Sequence, residues 1–310
     1  MRTLQLTTYR RSFFEEQIAA LRSRGIECTV LEVPGEYTAD DPRTLTEYLQ
    51  YYPEVLEHGL DSYDLVHANH GLTAPFALAQ PTRPVVTTFW GSELMSQRGW
   101  QTKLSRASAR LSDRVILPSE RMGEFLDSPY THIPFPVDTD VFEPIERATA
   151  KAYVGWEADS ADILFPYDPS RPEKDFERAA GIVEAANIDA ELRTVSGKAY
   201  AEMPYYLNAS DAVLVTSKRE SGPMIVREAA ACNVPIVSTD VGFVRETLDG
   251  IEQCAVCESD LQLAGALEVI LSNEWRPNGR DTIETLHPER FGRELETLYA
   301  SALDRREVPA

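Results

Sequence analysis

Cysteine is scarce in this 310-residue sequence: four, at positions 28, 232, 254 and 257, too few for a disulfide framework in a chain of this length, so reduced thiols are expected. Cys254 and Cys257 form a C-x-x-C, but zinc takes about four ligands and no second C-x-x-C or neighbouring His pair completes a set. Nor does IEQCAVCESD fit a redox motif at a helix N-terminus, because it reads as a strand running into a turn. No apolar run approaches the ~20 residues of a membrane-spanning helix. The first residues, MRTLQLTTYRRSFFEEQ, alternate and then turn charged, with neither the apolar core nor the cleavage site of a secretory leader. The expected location is the cytoplasm. No G-x-G-x-x-G follows a strand, which argues against a dinucleotide-dependent dehydrogenase.

Positive charge is also in short supply, with 30 Lys and Arg against 50 Asp and Glu and a net charge of −20. Such a chain repels a phosphate backbone, which excludes nucleic acid as a general partner and confines any phosphate site to a local arrangement. The acids are spread through FFEEQ, ADDPRTLTEYLQ and ELETLY and form no tail, as expected of a solvated surface and of a halophilic, high-salt adaptation. What is present is ample apolar material, 43% of residues, in a chain long enough for two cored domains.

Short apolar runs alternate with amphipathic stretches, the pattern of parallel sheets covered by helices and hence of an α/β protein. Leu4–Thr8 reads as the first strand; Ser12 and Glu15 as a capping box opening a helix that Gly25 stops; IECTVLEV as the next strand. A helix opened by Asp41 and Pro42 follows, then the strands DLVHAN, PVVTTF and RVILPS with helices between them. THIPFPVDTDVFEPIE, rich in proline and without helical period, reads as a crossover to a second α/β series with strands ADILFP, AELRTV, DAVLVTS and VPIVST. The last stretch, HPERFGRELETLYASALDRR, is an amphipathic helix with apolar positions Phe291, Leu295, Leu298, Tyr299 and Leu303.

The most informative segment is ESGPMIVREAAACNVPIVSTDVGFVRET. Glu220 lies just beyond a strand, at the sheet edge where open α/β folds bind ligands. Ser221, Gly222 and Pro223 turn the chain into a helix whose first amides, from Met224 and Ile225 to about Val226, are placed to receive a diphosphate. Glu228, in that helix, is placed to accept hydrogen bonds from ribose hydroxyls. Upstream, Arg171 and Lys174 in SRPEKDFERA are two cations suited to a departing diphosphate without a metal. Alone, each of these features is ordinary surface charge.

Together they resemble the E-x7-E region of the group 1, family-four retaining glycosyltransferases. The likeness includes Ala229, Ala230 and Ala231 in the helix, Pro235 before the next strand, Asp240-Val241-Gly242 followed by Glu246, and the helix-ending turn Asn208-Ala209-Ser210-Asp211. The resemblance implies a GT-B fold, two Rossmann-like doubly wound domains facing a cleft: residues 1–145 as an acceptor-binding domain, 146–287 as a nucleotide-sugar-binding domain, and 288–310 as a helix packing back toward the first. It implies transfer of a sugar from a UDP- or GDP-linked donor, used as substrate with no cofactor, to a hydroxyl acceptor, a lipid-linked one included, in glycan or glycolipid assembly. Glu220 would contact the donor sugar, Glu228 the ribose, and Arg171 with Lys174 the diphosphate. Asp138-Thr139-Asp140 spells a metal-holding D-x-D, but its setting resembles the family's linker P-x-D-x-x-x-F-x-P, and no metal is expected.

The N-terminal half departs from the family. On the acceptor side the candidates are His70, placed to hydrogen-bond the transferred sugar or assist the acceptor hydroxyl, together with Trp90 and Glu93 in TFWGSEL, where Trp90 stands in the position of a frequent family histidine. The first loop, TTYRRSFFEEQ, lacks the family's paired glycines. Arg10 and Arg11 there bind an anion or the acceptor, are solvated, or with Phe13 and Phe14 touch the inner face of a membrane. A nucleotide-sugar epimerase and a non-catalytic nucleotide-sugar-binding relative remain as alternative readings.

Overall fold

The two α/β series fold as two parallel sheets with helices on both faces. The computed structural model describes residues 1–35, 43–96, 98–273 and 276–304. It divides into one unit made of Met1–Pro136 with Pro288–Ala310 and a second made of Val137–His287. The break falls inside the proline-rich crossover, ahead of position 145. Residues from Val137 on belong to the second unit, because the Val137 amide bonds the Leu286 carbonyl at 3.1 Å and Phe142 is fully buried in that unit's core.

In the first unit the order is β1 (Arg2–Thr7), α1 (Ser12–Ser23), β2 (Glu27–Glu32), α2 (Leu45–Gly59), β3 (Leu65–Asn69), α3 (Ala74–Ala79), β4 (Val85–Thr88), α4 (Gly99–Leu111), β5 (Arg114–Leu117) and β6 (Thr131–His132). The second unit holds α5 (Arg147–Val154), β7 (Asp162–Phe165), α6 (Phe176–Ala185), β8 (Glu191–Thr194), α7 (Met203–Ala209), β9 (Ala212–Val215), α8 (Met224–Ala231), β10 (Ile236–Thr239), α9 (Val244–Leu248), β11 (Cys254–Cys257), α10 (Asp260–Leu271) and α11 (Gly279–Ile283). The last helix, α12 (Pro288–Asp304), returns to the first unit and packs on α1.

The strands run β2-β1-β3-β4-β5-β6 in one sheet and β11-β10-β9-β7-β8 in the other, with every pairing parallel. In each sheet the winding reverses once, between β1 and β3 and between β7 and β9. Such reversals leave a crevice beyond the strand C-termini, because the flanking connections depart to opposite faces.

Some local starts differ from the sequence reading. Ser12 is the first helical residue and caps nothing; α1 opens at Arg11, whose carbonyl accepts the amides of Phe14 and Glu15, both at 3.0 Å. Residues 41 and 42 lie outside the described residues. The described helix α2 starts with a capping box in which Thr44 accepts the Thr46 amide at 3.3 Å and Glu47 takes the Thr44 amide at 2.8 Å. Helix α6 starts only at Phe176, because Asp175 sits at φ 60° and breaks the helical run. Lys174 is thereby left in a loop. The four cysteines are free thiols, with Cys254 and Cys257 on β11.

Strand β1 alternates in a way that exposes an unusual core. Leu4 and Leu6 pack with residues of α2 and α3, whereas Thr3, Gln5 and Thr7, equally buried, face the other way. There Gln5 donates to Tyr299 of α12 at 3.3 Å and accepts from Asn69 at 2.9 Å, while Gln17 donates to Asn69 at 2.7 Å. His67 is held between the Tyr299 and Thr88 hydroxyls at 2.6 and 2.7 Å. Its role is structural, as a fully buried neutral imidazole whose pKa burial lowers to about 3.

The unfolded chain binds a proton at His67 near pH 6.5, whereas the folded chain does so only near pH 3. The stability His67 contributes is therefore complete above pH 6.5 and is lost as pH falls toward 3. In urea titrations the stability difference between wild type and His67→Gln is expected to narrow by about 1.4 kcal/mol per pH unit below pH 6. A pH-independent difference would show that His67 does not titrate there.

Candidate active site

At the switch point of the second sheet, the loops after β7 and β9 bring together residues far apart in the chain. Lys174 forms an ion pair with Glu220 Oε1, which also accepts the Ser217 hydroxyl at 3.0 Å. The Lys174 ammonium lies 3.9 Å from the centroid of the Tyr167 ring, a cation–π contact in a nearly dry setting. Its side chain is 6% exposed and that of Glu220 14%. Burial pulls the Lys174 pKa below the ordinary lysine range, and the Glu220 carboxylate pulls against it. Glu228 is buried on α8, and its charge, like that of Glu220, acts to raise the Tyr167 phenol pKa. Arg171 is not drawn in: it is about half exposed and donates through Nε to Glu173 at 2.8 Å. Of the two cations expected to act as a pair, Lys174 alone lies against Glu220.

Ser221, Gly222 and Pro223 lead into α8, whose N-cap residue, Pro223, contributes no side-chain bond. Met224 and Ile225 supply the first amides ahead of the helical ladder, while the Val226 amide is already bonded to the Pro223 carbonyl at 3.0 Å. This loop is pressed against the one following β10. A Cβ on Gly222 would stand 2.0 Å from Phe243 Cε1, and one on Gly242, at φ 53°, would stand 2.8 Å from the Gly222 nitrogen. Phe243 has no room to retreat, because it is buried beneath the Arg227 guanidinium, 3.7 Å from its centroid. Gly222→Ala is expected to cost about 1–3 kcal/mol through overpacking. An unchanged denaturation midpoint would show that the loop can yield.

In the first unit, the loops after β1 and β3 border a cavity of about 310 Å³ whose lining includes Thr8, Tyr9, Arg43, Tyr48, His70 and Trp100. His70 takes φ 122°, a strained value for a residue with a side chain, and its neighbours over-determine it. Its amide bonds the Thr88 carbonyl at 2.9 Å, its carbonyl accepts the Thr73 amide at 3.0 Å, and Nδ1 accepts the Leu72 amide at 3.2 Å. Nε2 faces Glu93 Oε2 at 3.4 Å. Burial lowers the His70 pKa and Glu93 opposes the shift, so the ring is neutral at pH 7, with both nitrogens engaged.

Glu93 is the organiser of this site. Its buried Oε1 accepts the amides of Gly71 and Trp90 at 3.0 and 2.8 Å, which ties the loop after β3 to the loop after β4. Trp90 is buried and packs its ring edge-on to those of Tyr9, Phe13 and His70. It supports the wall of the cavity and does not line it.

Arg10 pairs with Glu15 at 3.2 Å, and Arg11 lies over the Tyr9 ring at 4.6 Å; neither borders the cavity. Phe14 is buried, and the half-buried Phe13 stacks on Phe135 at 4.3 Å. No helix among the described residues is long and apolar enough to cross a membrane. Asp138, Asp140 and His287 bring their ligand atoms within 4.8 Å of one another. Asp138 Oδ1 is already occupied, accepting the amides of Asp140 and Val141 at 3.0 and 3.2 Å as the cap of a turn.

Tyr167, Ser217 and Arg43 went unnoticed in the sequence. For Tyr167 a signal existed, an aromatic residue two positions past the strand at a switch point; for Arg43, buried among backbone carbonyls, there was none.

The family model described as Glycosyl transferases group 1 matches residues 173–285, and that described as Glycosyltransferase Family 4 matches residues 12–141. Together the two stretches take in more than half of the chain. The chain belongs to the group 1, family 4 glycosyltransferases. No curated protein matches this glycosyltransferase in sequence. Among solved structures it is similar to a sucrose-phosphate synthase from Thermosynechococcus elongatus, with TM-score 0.77, 17% identity and coverage of 98% of this chain and 100% of that one. It is also similar to the Anabaena protein HepE in complex with UDP-glucose, with TM-score 0.72, 14% identity, and 97% and 100% coverage. A third likeness is to WaaG, a glycosyltransferase involved in lipopolysaccharide biosynthesis, with TM-score 0.63, 12% identity and full coverage of both chains. At such identities these likenesses carry the fold, which is GT-B with two Rossmann-like units. The family makes this glycosyltransferase an enzyme of sugar transfer.

Proposed function

We propose that the enzyme moves a hexose, with retention of configuration, from a UDP- or GDP-linked donor to a hydroxyl acceptor without a metal. The second unit binds the donor and the first unit binds the acceptor. The observation that carries this reading is the cluster of Lys174, Glu220 and Ser217 at the β7/β9 switch point, followed in the chain by α8 with its buried Glu228.

Glu220, held by Lys174 and Ser217, presents a fixed carboxylate edge to the hydroxyls of the donor sugar, and Glu228 presents another to the ribose. The α8 amides donate to the diphosphate, and Lys174 supplies positive charge as the bond to the sugar breaks. Charge developing on the leaving oxygen draws Lys174 away from Glu220, so the contact of Lys174 with the departing phosphate is strongest in the transition state. In the first unit, the cavity beside His70 and Glu93 takes the acceptor, with Trp100 and Tyr48 as aromatic faces for a sugar ring. The complex of HepE with UDP-glucose supports a nucleotide-sugar donor.

The test is incubation with labelled UDP- and GDP-sugars and a panel of sugar and lipid-linked acceptors, with the anomeric configuration of the product read by NMR. Transfer with retention is expected. Release of an epimerised nucleotide sugar without acceptor would replace this reading with an epimerase, and absence of both binding and turnover would end it.

A further inference from the structure

The hydroxyl of Tyr167 is buried beside Ser217, whose hydroxyl is close enough to lower the phenol pKa, yet no group among the described residues meets it in full hydrogen-bond geometry. It nevertheless stands at the β7/β9 switch point, on the second residue after β7. The ring has an evident task, since it carries the Lys174 ammonium on one face and packs edge-on to Phe165 at 5.4 Å. The oxygen has none. Ser217 directs its own hydroxyl to Glu220 Oε1, which Lys174 also holds.

Phenylalanine would fill the same space and stack on the same cation without burying an unmatched hydroxyl, which costs stability. A buried polar atom left without a partner calls for one that the free protein lacks. The phenol also feels the charges of Glu220 and Glu228, both of which act to raise its pKa. Burial pushes its pKa well above the ordinary phenol range, so it stays protonated and acts as a donor at neutral pH. The two glutamates are acceptors, suited to a ligand's hydroxyls. The phenol joins the opposite set, the donors formed by Lys174 and the first amides of α8, and that set is suited to an anion.

We propose that Tyr167 donates its phenolic hydrogen to a phosphate oxygen of the nucleoside diphosphate portion of the donor. The inference rests on the assignment of the second unit to the donor. It makes Tyr167 a ligand-binding residue whose ring positions Lys174 and whose hydroxyl binds the group that leaves.

Calorimetric titration of wild type and Tyr167→Phe with UDP, GDP and the corresponding nucleosides, alongside thermal denaturation of the free proteins, tests it. Tyr167→Phe is expected to bind its diphosphate about tenfold more weakly, to bind the nucleoside unchanged, and to melt no lower than wild type. Tyr167→Leu, which also loses the ring beneath Lys174, is expected to melt lower. Equal diphosphate affinity in wild type and Tyr167→Phe would overturn the proposal. So would an equal loss for the nucleoside, which would move the bond to the ribose or base, or a lowered melting temperature of Tyr167→Phe, which would make the hydroxyl structural. A wild type that binds neither diphosphate would take the donor-site assignment down with it.

Discussion

Glu220→Gln is expected to lower the rate of sugar transfer by about a hundred- to a thousandfold, the range found when one pre-organised electrostatic group is removed from an active site, while the protein stays folded. Glutamine keeps the shape and one acceptor oxygen, and because Ser217 and Lys174 share Oε1, that oxygen can still meet both. What disappears is the negative charge that fixes Lys174 and faces the donor sugar. Glu220→Ala goes further, because it strands an ammonium that is nearly enclosed. Loss of one partner from a fully buried pair costs about 3–5 kcal/mol, and the partial exposure of Glu220 reduces that figure. The two variants thus separate chemistry from stability: the first should lose kcat at nearly constant denaturation midpoint, and the second should lose both. Undiminished transfer by Glu220→Gln would remove Glu220 from the mechanism.

The second large effect is expected in the first unit. Glu93→Ala leaves the Gly71 and Trp90 amides, both paired with one carboxylate oxygen, without an acceptor in a buried setting. At about 1–3 kcal/mol for each orphaned group, the unit should lose roughly 3–5 kcal/mol, read as a shift of its urea unfolding transition. Activity should fall with it, because the strained backbone of His70 is held by the same junction. Glu93→Gln is the informative companion. Its amide oxygen can still take both backbone donors, but its NH2 group would face His70 Nε2. That nitrogen carries the ring proton, since Nδ1 accepts from Leu72. A loss of about 1 kcal/mol is therefore expected. Equal stability of Glu93→Ala and wild type would show that water replaces the carboxylate.

The strands and the donor-side signature could be read in the sequence because both follow from local rules. Period and punctuation marked the strands, and the stretch from Glu220 to Glu246 carried its chemistry in one continuous segment. The pairing of Lys174 with Glu220 could not be read in this way. It depends on β7 and β9 being neighbours, an outcome of sheet order, and on Asp175 taking a left-handed conformation that frees Lys174 from α6. Spacing alone treated Arg171 and Lys174 as equals, whereas the loop turns one toward solvent and the other toward the crevice. On the acceptor side, Trp90 and Glu93 looked like ligands because of where they fall after a strand. Burial puts Trp90 behind the wall, whereas Glu93 lines the cavity while its Oε1 accepts two backbone amides.

The return of α12 to the first unit sets an order of birth. Phe291, Leu295, Leu298 and Tyr299 complete a core that also includes Leu21, Leu65 and Val86, and the Tyr299 hydroxyl is the partner of both Gln5 and His67. A ribosome adding about 5–20 residues per second makes the second unit whole before it reaches this helix. The half of the enzyme that is started first is therefore finished last. For on the order of ten seconds its polar seam lies open to water, a span in which a chaperone or a protease would find it unsealed.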